Sequence, residues 1–198
     1  SERRLRPRCA PTRPRGARTV DEDDVLTMSR LILDDDVSAA RQFITELRDA
    51  GVSVDSVYLD LLTGVARHLG KLWEEDLCDF VRVTIGTGRL KQLVYELSGE
   101  LETPSPPTPG LRQVMLVAVP GSQHTLGLLI VAEFFRQAGW EVWSLPNLSM
   151  SDLKRTLSNR WFDVVGFSVG SAAQLPTLQE AIAAVRKGSQ NSDVKVMV

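Results

Sequence analysis

Cysteine is nearly absent from this chain. Cys9 and Cys78 are the only two in 198 residues, too few for a disulfide framework and in surroundings that hold no metal-binding pair. A reducing, cytoplasmic setting is the expectation. Long hydrophobic runs are missing too: the longest apolar stretch, "LGLLIVAEFF", is too short to span a bilayer. The basic opening "SERRLRPRCAPTRPRGAR" has no apolar segment behind it and so does not read as a secretory signal. Neither a Walker loop nor a dinucleotide fingerprint occurs, since "GSQHTLG" satisfies neither G-x-x-x-x-G-K-[ST] nor G-x-G-x-x-G. Histidine is as scarce as cysteine. His68 and His124 stand far apart with no Cys cluster near them, which excludes a zinc site made of three or four protein ligands.

What is present is an ordinary globular composition, 43% hydrophobic and 24% charged, with its charge unevenly placed. Residues 1–18 hold seven arginines against Glu2, a net +6, so residues 19–198 carry −8 of the total −2. With three prolines and few large apolar side chains, residues 1–24 read as a disordered basic arm able to touch phosphates, DNA included. From Val25 to Leu101 apolar residues recur at helical spacing. Val37, Ala40, Phe43, Ile44 and Leu47 form one stripe between a cap at Asp36 and a closing Gly51, and Asp79 opens another helix. Three or four such helices make an antiparallel bundle. The stretch "TPSPPTPG" carries four prolines and marks a linker over 102–110.

Beyond it, over 111–198, the period changes. "RQVMLVAV", "EVWSL", "DVVGFSV" and "DVKVMV" read as strands, and amphipathic helices fill the gaps, closed by Gly139 and Gly188 and capped at Ser149 or Ser151. Alternating strands and helices require right-handed crossovers and a parallel sheet covered on both faces. The fold class is therefore α/β: an N-terminal helical bundle followed by a flavodoxin-like, doubly wound parallel sheet. The chain ends on its last strand without the turn that should follow, so the sheet is expected to continue past Val198 or to be trimmed there. Ligands of such sheets lie beyond the carboxyl ends of the strands where the strand order reverses. The loops meeting there are "PGSQHTLG" (120–127) and "SVGSAAQ" (168–174).

In that crevice His124 suits a metal that arrives already held by a macrocycle, for which one imidazole is enough; a loop histidine without a role is the other reading. "GFSVG" (166–170) also fits the nucleophile elbow G-x-S-x-G, but both histidines precede Ser168, whereas that fold places its base after the serine. Trp140, Trp143 and Trp161 read as packing residues of the second domain.

These motifs resemble the cobalamin-binding family, whose signature D-x-H-x-x-G lies after the first strand. Here it reads Ser122-Gln123-His124-Thr125-Leu126-Gly127, with the acid replaced by Ser122. The family's S-x-L after the third strand corresponds to Ser168-Val169-Gly170, with the leucine lost, and "LGKLWEEDLCDF" resembles its L-G-x-x-W segment. The resemblance implies that His124 is the axial cobalt ligand, with His68 the only other imidazole available as a second one. It assigns Ser122, Thr125, Gly127, Ser168 and Gly170 to cofactor binding, and Trp73 to the upper face of the corrin. Light-sensing members carry Glu-His where this chain has Val83-Thr84. Losing the acid's hydrogen bond to the ligating imidazole typically lowers metal affinity about 10- to 100-fold, so ligation by His124 is expected to be weaker than in D-x-H-x-x-G members.

Taken together, the motifs look most like the AerR/PpaA type of photosynthesis-gene antirepressor. What this implies is a cytoplasmic, non-enzymatic, light-responsive regulator that binds cobalamin between its helical cap and its Rossmann-like domain. It would act on a transcriptional repressor of the CrtJ/PpsR type. A haem-binding sensor of the same fold and a corrinoid methyl-carrier protein are the alternatives.

Overall fold

The structure, a computed structural model, describes residues 18–101, 110, 112–120, 122, 125–145 and 147–198, the side chains of 99–101 excepted. Most of the basic arm (1–17), the linker over 102–109 and His124 lie outside the described residues. By contacts the chain divides between Gly86 and Thr87, a different place from the proline-rich stretch, because the division falls within a helix that runs unbroken from Phe80 to Leu101.

The first unit is helical: α1 (Glu22–Leu33), α2 (Val37–Asp49), the single turn α3 (Val54–Ser56), a π-helical segment (Val57–Leu62), α4 (Thr63–Glu74) and the start of α5 (Phe80–Leu101). Helix α1 begins inside the stretch expected to belong to the arm, and the cause is local. The Asp21 carboxylate accepts from the Asp24 N–H at 2.9 Å, and the Asp24 carboxylate accepts from the Asp21 N–H at 3.2 Å, a reciprocal capping box. Asp24 is buried and also pairs with Arg18 at 2.6 Å. Residues 22–24 are thus a first helical turn.

Helix α2 ends as its sequence suggests. Gly51 sits at φ +94°, its N–H donates to the Arg48 carbonyl, and the Val52 N–H donates to that of Leu47, a Schellman closure with Val52 and Leu47 both buried. Helices α1 and α4 close the same way around Asp35 and Asp76, aspartates at φ 66° and 55°. Short polar side chains tolerate that region better than most.

The second unit holds β1 (Gln113–Ala118), α6 (Leu126–Gln137), β2 (Glu141–Leu145), α7 (Met150–Asn159), β3 (Val164–Ser168), a 3-10 turn (Ala172–Gln174), α8 (Leu175–Gly188) and β4 (Lys195–Met197). The strands are all parallel in the order β2-β1-β3-β4. The first and third are neighbours, as a flavodoxin-like order requires. Alternation along β1 sends Val114 and Leu116 to one face, where Leu128 and Ala132 of α6 cover them. Met115, Val117 and Val119 point to the other, where Leu153 and Leu157 of α7 and Leu178, Ala181 and Val185 of α8 enclose Phe162 and Phe167. Helix α6 closes on Gly139 at φ +79°, and the closing residues Phe135 and Trp140 meet edge to face at 5.2 Å. Gly188 is instead the last helical residue of α8, with Ser189 as its cap.

At the amino ends of the strands one arginine ties two of them together. Arg160 donates to Glu141 of β2 at 2.5 Å and to Gln113 of β1 at 3.1 Å, and its guanidinium lies 3.8 Å from the Trp143 ring centroid. A partly exposed ion pair and a cation–π contact each contribute up to about 1 kcal/mol. Arg160→Ala is expected to lower the stability of this unit by about 1 kcal/mol, read as a reduced urea midpoint with unchanged m-value.

Candidate functional site

The carboxyl ends of β1 and β3 are locked in register from Val114↔Val164 to Ala118↔Ser168, and the next rung is a hydrogen bond from the Val119 N–H to the Ser168 carbonyl at 3.0 Å. Past this rung the two loops part, β1 running into α6 and β3 into the 3-10 turn. Helix α6 packs on β1 and β2. Beside it, over β3 and β4, the sheet opens a cleft of about 330 Å³ lined by Leu116, Gly127, Leu128, Val131, Gly166, Phe167, Ser168, Met197 and Val198. The floor of the cleft is set by Gly166. Its pairing partners are Leu116 and Met197, and a Cβ there would come within 2.7 Å of Leu116 Cδ2 and 2.8 Å of Met197 Cε. Gly127, at the second position of α6, faces open space.

Several residues singled out from the sequence converge on this end of the sheet. Ser168 ends β3 and lines the cleft with Gly127. Gly170 follows in the next loop, its N–H donating to Gln174 Oε1 at 2.8 Å. Ser122 and Thr125 are buried, 5% and 6% exposed. The Ser122 N–H donates to the Val119 carbonyl at 2.8 Å, and the Thr125 carbonyl accepts from Leu129 at 3.1 Å, which ties the two ends of the loop down. His124, between them, lies outside the described residues. His68 and Trp73 belong to α4 of the helical unit. His68 is half-buried, and Trp73 is 52% exposed, so it is not consumed by the core of its own unit.

The nucleophile elbow is not built. Such a serine sits on a strained strand-to-helix turn, whereas among the described non-glycine residues only Asp35 and Asp76 adopt positive φ. Ser168 has ordinary strand geometry. Among the described residues no cluster of three or more His, Cys, Asp or Glu is placed to hold a metal ion, and no helix is long and apolar enough to cross a membrane. Trp140 and Trp143 pack as expected, against Phe135 and Phe162, while Trp161 is exposed.

Sequence reasoning missed the apolar walls of the cleft: Leu116, Leu128, Val131 and the floor at Gly166. One signal was available, a glycine in the middle of the strand "VVGFS", because glycine inside a strand often marks the close approach of a ligand.

A four-stranded parallel sheet in the order β2-β1-β3-β4, with helices on both faces, is the arrangement of a flavodoxin-like domain. Residues 112–198 match the B12 binding domain family. The α/β unit is similar to that family over those residues, and cobalamin is the cofactor that the match supports. A Rhodobacter capsulatus protein described as an uncharacterized 20.5 kDa protein in the bchF-crtJ intergenic region is 35% identical over 126 residues, covering 64% of this chain and 66% of that one. The chain thus spans just under two thirds of that relative's length. The structure of the Methanosarcina barkeri monomethylamine corrinoid protein superposes with a TM-score of 0.70 at 12% identity, over 89% of this chain and 84% of that one. At that identity the likeness is one of fold.

The residues present suit a corrinoid. Among the described residues the cleft is lined mainly by apolar side chains, and at Gly166 a Cβ would crowd Leu116 and Met197. A bulky ligand tail with a flat base needs such backbone approach.

Proposed function

We propose that this chain is a light-responsive transcriptional regulator of the AerR/PpaA type, which uses cobalamin to relieve repression by a partner of the CrtJ/PpsR type. The observation that carries this reading is its relative, whose description places it between bchF and crtJ; the second of those names is that of the repressor type to which the sequence resemblance points. In this proposal His124 would hold the cobalt through its imidazole. Ser122, buried two positions earlier, orients the imidazole through a hydroxyl, a weaker partner than the family's carboxylate. Gly127, Ser168 and Gly170 line the path of the nucleotide tail, with Thr125 holding the base of the loop. Trp73 would contribute an aromatic face to holding the corrin. Cobalamin, when bound, would supply light-sensitive cobalt chemistry.

Val83 and Thr84 offer no imidazole, and the Thr84 hydroxyl is already given to the Phe80 carbonyl at 2.7 Å. His68 is the other histidine of the sequence and in this proposal would be the second cobalt ligand if there is one. The signal leaves through a shift in population between protein states that bind the corrinoid unequally. The repressor is the partner that reads it, and the arginine-rich arm adds contacts to DNA phosphates. The chain acts as a regulator and not as an enzyme.

The test is to mix the purified chain with hydroxocobalamin, in the dark and after illumination, desalt, and record the spectrum, then to measure promoter binding by the repressor with and without the loaded protein. Retained corrin and loss of promoter binding are expected. His124→Ala is expected to shift the cobalt spectrum away from imidazole ligation, and Ser122→Asp to tighten retention about 10- to 100-fold. No retained corrin in either condition overturns the proposal, and methyl transfer between purified methyltransferases by the loaded chain would make it a corrinoid methyl carrier instead.

A further inference from the structure

Helix α4 carries both His68 and Trp73, the two residues of the helical unit that the proposed reading brings to the cofactor. They stand five positions apart in the sequence, and at about 100° per residue the two side chains leave the helix about 140° away from each other. One flat ring cannot meet both. Resting on the cobalamin reading, we infer that α4 meets the corrin with one side only, that of Gly70 and Trp73, and that His68 is not a ligand of cobalt.

Two glycines of α4 tell its sides apart. Gly64 precedes His68 by four positions and so lies within about 40° of it around the helix, on the side turned about 180° from Trp73. That side belongs to the protein itself: α1 packs on α4, and a Cβ at Gly64 would come within 2.9 Å of Val25 Cγ2. Close contact between helices accounts for the missing side chain there. At Gly70 no such account exists, because among the described residues nothing lies within 4 Å of the place its Cβ would take. A glycine inside a helix costs stability relative to alanine, and it suits the close approach of a ligand to the backbone.

Gly70 also lies about 60° from Trp73 around the axis, so bare backbone and an indole that is half exposed share one side of the helix. A broad macrocycle with apolar faces fits against such a surface. To ligate cobalt, an imidazole has to stand over the ring that Trp73 touches. His68 leaves on the far side, with the body of α4 between. The sequence holds two histidines in all, so cobalt then carries one protein imidazole at most and takes up a free imidazole from solution.

The experiment loads the full chain and its His68→Ala, His68→Gln and Gly70→Leu variants with hydroxocobalamin. Retention after desalting, the cobalt absorption spectrum and its change on titration with free imidazole are the readouts, and far-UV circular dichroism checks the fold of each variant. Both His68 variants are expected to match the parent chain in spectrum and in imidazole response. Gly70→Leu is expected to weaken retention at least about tenfold without lowering the urea midpoint, because leucine is the better helix former and meets open space. A spectral change shared by the two His68 variants, or an imidazole response that appears only when His68 is removed, makes His68 a ligand and overturns the inference. No imidazole response in any of the loaded chains overturns the centre with a single protein imidazole, and full retention by Gly70→Leu overturns the assignment of the side. In each of these cases the retained corrin leaves the cofactor reading intact. If the parent chain retains no corrin, that reading fails and this inference falls with it.

Discussion

Phe162→Ala is expected to destabilise the α/β unit by about 3–5 kcal/mol, the usual cost of emptying a buried phenylalanine site. Phe162 has no exposed surface and sits in the core formed under α7 and α8. Its ring meets Trp143 edge to face at 6.5 Å, and its carbonyl accepts from the buried Asn191 side chain at 3.0 Å. Truncation removes the ring and the aromatic pair and leaves a void beside Val165 and Leu157 that close-packed neighbours fill only partly. Domains of this kind are stable by only about 5–15 kcal/mol, so the loss takes a large share. Urea unfolding followed through Trp143 fluorescence is the measurement. Phe162→Leu, which keeps most of the volume, is expected to cost less; equal midpoints for Phe162→Ala and the parent chain would mean that this core does not hold the unit together.

Much of this fold is legible in the residues because the signals are local. A change of apolar period from helical to alternating separates the helical part from the sheet, and caps at Asp36, Asp79 and Ser149 act where they are placed, each accepting from a backbone N–H three residues on. Gly51 and Gly139 end helices because only a residue without Cβ enters the left-handed region at no cost. Where the chain uses a less usual device, the reading slips. Asp35 and Asp76 perform the same closure without glycine. The start of α1 hides in an acidic run whose charge suggests a tail, although Asp21 and Asp24 stand at the spacing of a capping box.

The π-helical segment at Val57–Leu62 has no signature in apolar spacing. Here the Thr63 hydroxyl donates to the Tyr58 carbonyl five residues back, at 2.8 Å, a partner that only the wider turn brings into reach.

The candidate site divides along a similar line. The loops that hold Ser122, Thr125 and Ser168 are placed from sequence because topology alone sends the ends of β1 and β3 to one place; their part in cofactor binding is what the resemblance implies. The hydrocarbon walls are not so placed, since Leu116 and Leu128 look like any other core residue until α6 is seen to pack on β1 and β2. What brings them together with Gly166 is the packing of α6 on the sheet, and that is a tertiary fact.

Gly166→Val tests the cleft most severely. The new Cβ is aimed at the cleft floor, within 2.7 Å of Leu116 Cδ2 and 2.8 Å of Met197 Cε. Both are ends of flexible side chains that swing aside, so the fold survives. Overpacking of this kind costs about 1–3 kcal/mol, partly offset because a β-branched residue suits a strand better than glycine. On the proposed reading binding has no such relief: the branched side chain and the displaced Leu116 and Met197 ends would occupy the space assigned to the nucleotide tail. Hydroxocobalamin affinity is expected to fall at least about a hundredfold, on the order of 3 kcal/mol of lost contact, while far-UV circular dichroism is unchanged. Cobinamide, with no base to accommodate, is expected to bind the variant and the parent chain alike. A fall of equal size for cobinamide would place the damage at the corrin ring or in the fold, and undiminished cobalamin binding would mean that the tail is held somewhere other than between α6 and β3.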